Sequence, residues 1–148
     1  MERNYKSDFE REVIGYADKF GGIKNFHVHG DRAYTWGDVF YQEIGKSVSD
    51  LGRLTLREKQ KLTWALHNGL AFEKSSIEER FRRLIKESVD LGVKTIYTTV
   101  DVTYNSKLKS LEVIEKLRKE FGNIEIFIGA YNPSGFKKRN GGDDEIRF

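Results

Sequence analysis

The sequence predicts an α/β protein in which a parallel β-sheet packs against outer helices. Three observations predict it. Two runs rich in β-branched residues, Val93–Val102 (VKTIYTTVDV) and Ile124–Ala130 (IEIFIGA), read as strands. Apolar residues recur at helical spacing before and between them: Ile77, Phe81, Leu84, Ile85 and Val89 form one stripe, and Leu108, Leu111, Ile114 and Leu117 another. Such alternation requires crossover connections, which join parallel strands.

The remaining elements follow in chain order. Asp8–Phe20 carries Phe9, Val13, Ile14, Ala17 and Phe20 at helical spacing, and Gly21–Gly22 stops that helix. Ile23–Val28 is a short strand running into Asn25-Phe26-His27-Val28-His29. Gly30 to about Arg53 is aromatic and punctuated by glycine, a loop with a helical piece around Asp38–Ile44. Thr55–Asn68 forms a helix with Leu56, Leu62, Trp64 and Leu66 as its apolar residues. Ser76-Ile77-Glu78-Glu79 reads as a capping box opening the next helix, which Gly92 closes. Ser106 caps a third helix, closed by Phe121 and Gly122. The chain therefore divides into an N-terminal helix (1–22), a β/α segment (23–136) and a polar tail (137–148).

Composition removes several classes. The 148 residues allow one domain, and 38% hydrophobic with 33% charged residues suits a globular chain rather than a disordered one. No apolar run approaches the roughly 20 residues of a membrane span, and the charged start MERNYKSDFEREVIGYADKF lacks a signal-peptide core. Absence of cysteine excludes disulfides, thiolate metal sites and cysteine nucleophiles, and agrees with a cytoplasmic setting. The 26 basic and 23 acidic residues are interleaved, and the one compact basic run, Lys137-Lys138-Arg139, reads as a solvated tail. Neither nucleic acid nor a membrane is expected as a partner.

The chemistry concentrates at strand ends. His27 and His29 sit one residue apart, and residues i and i+2 of a strand share a face, so both imidazoles can converge on one metal ion. On spacing alone the pair reads equally well as two incidental histidines. Asp101 ends the second strand, where it faces the pocket or, the favoured reading, is structural. His67 lies in a helix beside Trp64 and reads as a surface or helix-packing histidine. Tyr34, Trp36, Phe40 and Tyr41 pack, or line a pocket for a flat ring.

Phe26-His27-Val28-His29-Gly30-Asp31-Arg32-Ala33 resembles the first-strand signature of the amidohydrolase superfamily, and more narrowly of its cytosine-deaminase-like group. Thr98-Thr99-Val100-Asp101-Val102 is similar to that group's second-strand Thr-His-Val-Asp-Val, and Ala130-Tyr131-Asn132-Pro133-Ser134-Gly135 falls where its third strand leads into the substrate pocket. The resemblance spans roughly Ile23–Phe136 and implies a partial (β/α)₈ TIM-barrel-like sheet of about three strand–helix units. It implies His27 and His29 as ligands of one divalent metal, zinc or iron. Asp31 would orient the loop or a ligand, or else cap the next turn, and Asp101 and Asn132 would stand behind the metal or line the pocket. The implied activity is hydrolysis of a C–N bond in a small cyclic amide or amidine, cytosine-like, by metal-activated water.

The departures from the pattern are specific. Thr99 stands where the group has histidine, Pro133 where a side-chain amide contacts the pyrimidine, and Gly30 where leucine is common. A complete barrel needs about 250 residues, and the family's remaining ligands and its general acid/base come from later strands. The expectation is therefore the N-terminal portion of such an enzyme, with its catalytic acid/base outside these residues. The competing expectations are a non-catalytic barrel fragment, assembling with copies of itself or with a complementing chain, and a His-x-His phosphoesterase.

Overall fold

The β-branched runs do become strands. The computed structural model describes residues 5–35, 38–43 and 45–133; Trp36, Ile44, Ser134–Phe136, the Lys137–Arg139 run and the tail lie outside them. Strands β1 (Ile23–His29), β2 (Val93–Asp101) and β3 (Glu125–Tyr131) form one parallel sheet in the order β1-β2-β3. The helices are α1 (Asp8–Asp18), α2 (Asp38–Glu43), α3 (Val48–Leu51), α4 (Leu56–Asn68), α5 (Lys74–Asp90) and α6 (Lys109–Glu120). The parallel sheet with flanking helices agrees with the fold class read from the sequence. No helix among the described residues is long and apolar enough to cross a membrane.

One face of the sheet carries the core. Ile77, Phe81 and Ile85 of α5 and Ile114 and Leu117 of α6 are buried against Ile96 and Val100 of β2 and Ile126 of β3. Each such side chain contributes about 1.5–3 kcal/mol through removal from water, so this layer sets where the strand ends fall.

Local sequence signals misplace two helix starts. The box at Ser76 lies inside α5, which begins at Lys74 with Glu73 as its cap residue. Ser106 does not cap α6; it closes a tight loop, its hydroxyl accepting from the Thr103 N–H at 3.0 Å and donating to the Asp101 carbonyl at 3.0 Å. That loop delays the helix to Lys109. The stretch between Gly30 and Arg53 holds a 3₁₀ turn (Gly30–Arg32) and α3 in addition to α2. Helix α1 buries Ile14 but leaves Phe9 and Val13 exposed, as is Phe20 beyond its end, so among the described residues its expected apolar face is not covered.

The opposite sheet face is shaped by an irregularity in β1. Asn25 pairs with Ile96 and Val28 with Thr98, so Phe26 and His27 together oppose the single residue Tyr97. Phe26, Tyr97 and Phe127 stack across all three strands, with ring centroids 5.3 and 4.7 Å apart. Phe26 and Phe127 are exposed, so this face has no helical cover among the described residues.

Candidate functional site

The carboxyl ends of β1 and β2 are brought together by a turn that only glycine permits. His29, the last residue of β1, pairs with Thr99, and the chain then folds through the 3₁₀ turn Gly30–Arg32. A Cβ at Gly30 would lie 2.2 Å from the Phe81 ring, so the turn rests directly on the core. The Gly30 N–H donates to the Thr98 hydroxyl at 3.0 Å, tying the turn to β2. Arg80 of α5 holds it from below, donating to the carbonyls of Asp31 and Ala33 at 2.7 Å each and to that of Ala71. Burial lowers the Arg80 pKa to about 10, with Asp31 the leading opposing charge.

This scaffold gathers a charged cluster. Asp31 is fully buried and its Oδ2 accepts the Asp101 N–H at 2.6 Å. Asp101, also fully buried, accepts through Oδ2 from His67 Nε2 at 2.9 Å, with Arg32 Nε at 3.3 Å from the same oxygen. Its Oδ1 lies 3.9 Å from His29 Nδ1. That Nδ1 accepts from the Arg32 guanidinium and lies 3.1 Å from the Thr99 hydroxyl. Three buried polar atoms, Asp31 Oδ1, Asp101 Oδ1 and Arg32 Nε, have no hydrogen-bond partner. Leaving such groups unsatisfied costs on the order of 1–3 kcal/mol each, and a water or ion bound among them would relieve that cost.

The electrostatics suit a cation. Burial, then the Arg32 charge, lowers the His29 pKa against the pull of Asp101, so the ring is neutral in neutral solution, the state that binds metal. Burial, then Asp101, raises the Asp31 pKa from 3.8 to about 6, opposed by the Asp101 N–H, the Ser110 hydroxyl and Arg32. A carboxyl with a raised pKa holds its proton in the folded state after the unfolded chain has released it. The contribution of Asp31 to the stability of the metal-free protein is therefore expected to fall as pH rises from 3.8 towards about 6. Urea denaturation across that window should show the slope, and Asp31→Asn should flatten it.

The residues named from sequence are placed as follows. His27 and His29 are neighbours, their ring centroids 5.1 Å apart and their planes at 88°. His27 is exposed, and the group whose ligand atoms lie within 4.8 Å of one another is His29, Asp31 and Asp101. Asn132 is buried just beyond β3. Asp101 does face the cluster. Tyr34 packs on α5 instead of lining a pocket, donating to Glu87 and lying 4.2 Å beneath the Arg83 guanidinium. Phe40 lies beneath Arg80, whereas Tyr41 lines a cavity of about 390 Å³ that also touches His29, Arg32, Lys59, Leu62 and Leu66.

His67 requires a correction. It is a buried packing histidine, edge-on to Phe72 at 4.5 Å, but it is also part of the cluster through Asp101. Sequence reasoning missed it because its partner is 34 residues away and its helix face carries no marking stripe. Arg80 was also missed, although a signal existed: a charged residue at the third place after Ile77 interrupts an apolar stripe. The chain matches no family model and no curated protein.

Proposed function

We propose that this chain supplies three strand–helix units of a (β/α)₈ metal-dependent amidohydrolase of the cytosine-deaminase-like group, cleaving a C–N bond in a small cyclic amide or amidine. The observation that carries this reading is the meeting of His27, His29, Asp31 and Asp101 at the carboxyl ends of adjacent parallel strands, where barrel enzymes place their sites. Neutral imidazoles and carboxylates suit a divalent zinc or iron ion, and the unpartnered oxygens of two buried aspartates fit a bound cation. The ion would supply a water of lowered pKa as nucleophile.

In this reading His27 and His29 hold the ion. Asp101 orients His29, and His67 fixes Asp101 by donating to its other oxygen. The cavity beside His29, walled by Leu62, Leu66 and Tyr41, admits the flat body of the substrate. A cytoplasmic setting belongs to the same proposal.

Metal content of the purified protein, measured by plasma mass spectrometry, tests the reading. One ion per chain is expected, falling to background in the variant His27→Ala, His29→Ala. No metal in the unaltered chain would sink it. Ammonia release from cyclic amidines, with phosphate esters left intact, is the specificity expected of the complete barrel, whose later strands would supply the general acid/base. The exposed Phe26 and Phe127 beside strand edges favour the second reading, an assembly module. Sedimentation as a monomer at all concentrations would dismiss that alternative.

A further inference from the structure

We propose that Arg32 is an internal competitor for the metal: its guanidinium occupies the Nδ1 lone pair of His29 and keeps the ring proton on Nε2, so neither ring nitrogen is open to an ion until Arg32 is displaced. The proposal rests on the metal-centre reading and concerns a residue that reading does not use. A guanidinium has only donors, so at the Arg32–His29 contact Nδ1 must be the acceptor. A neutral imidazole carries one proton, which is then on Nε2, and a protonated ring nitrogen has no lone pair for a metal.

Both routes to coordination therefore remove Arg32 from Nδ1. An ion entering at Nδ1 takes the lone pair that Arg32 occupies. An ion entering at Nε2 needs the proton on Nδ1, where Arg32 blocks it; Nε2 then loses one proton to solvent as Nδ1 gains one. The structure holds an acceptor ready for that Nδ1 proton. Asp101 Oδ1 is buried, lacks a hydrogen-bond partner and lies 3.9 Å away.

Arg32 is held by charge rather than by a fixed set of hydrogen bonds: its Nε pairs with Asp101 Oδ2 at 3.3 Å without making a hydrogen bond. Its side chain is 27% exposed and borders the cavity of about 390 Å³, which gives the guanidinium somewhere to go.

The test combines a tautomer readout with a zinc affinity. Long-range ¹H–¹⁵N spectra of the metal-free, ¹⁵N-histidine-labelled chain should show His29 protonated at Nε2, shifting towards Nδ1 in Arg32→Met. Competition against a chromophoric chelator should show Arg32→Met binding zinc about tenfold tighter or more, the scale of changes around metal-bound histidines. His29 protonated at Nδ1 in the metal-free wild type overturns the proposal. Zinc binding that is lost in His27→Ala, His29→Ala but unchanged in Arg32→Met overturns it too, and leaves the metal-centre reading standing. A tautomer that shifts as expected while neither protein binds zinc sinks the metal-centre reading, and competition with it.

Discussion

Gly30→Leu is expected to leave no folded population by far-UV circular dichroism, and Gly30→Ala to cost about 3 kcal/mol or more in urea. Overpacking a core by a methylene or two costs roughly 1–3 kcal/mol when neighbours can shift. Here they cannot. The added carbon would sit 2.2 and 2.6 Å from two atoms of the Phe81 ring and 2.7 Å from the Thr98 hydroxyl. Phe81 is fully buried, and that hydroxyl is committed to the Gly30 N–H and the Val28 carbonyl. Gly129→Ala is the control, because its new carbon would meet nothing closer than 3.8 Å. Phe81→Leu combined with Gly30→Ala should recover part of the loss, a non-additivity that separates the clash from a general glycine effect. The leucine common at this place in the group that the motif resembles is thus incompatible with how this chain seats its turn.

Arg80→Met is expected to destabilise by about 3–5 kcal/mol, the range for breaking a buried charged interaction. Methionine retains much of the apolar stem but leaves the carbonyls of Asp31, Ala33 and Ala71 without their donor. Arg80→Lys should recover little, since one ammonium cannot reproduce a planar fork that reaches three carbonyls. Chemical denaturation measures the loss. Hydrogen exchange should place it in the Gly30–Arg32 turn and the 3₁₀ turn at Leu70–Phe72 before the rest of the sheet.

These two residues show where the sequence was legible. Strands β2 and β3 were readable because continuous β-branched runs have few alternatives, and α5 and α6 because their stripes persist for several turns. His27 and His29 were nameable from their spacing at a strand end, whereas Asp31 entered through the resemblance and Asp101 reads first as structural; the cluster joins His29, Asp31 and Asp101 and leaves His27 exposed beside it. Helix starts were misread at Ser76 and Ser106, where a hydroxyl in the right spacing served another purpose. Ser76 accepts from Arg80 Nε at 3.4 Å, and Ser106 holds the loop after β2. His67 and Arg80 act on partners 34 and 49 residues distant, contacts that no local pattern encodes.

The doubled position in β1 has a consequence for how the chain tolerates length changes. In an unbroken strand Phe26 and His29, three residues apart, would project to opposite sides. The extra residue acts as a phase shifter, letting the aromatic ladder and the histidine pair share one side while Val28 packs into the core. Deleting one residue from the Phe26-His27 pair would restore strict alternation without altering any contact of α5 or α6. A single-codon deletion there would keep both flanks in phase and remove one ring from the exposed side of the sheet, leaving Val28 facing the interior.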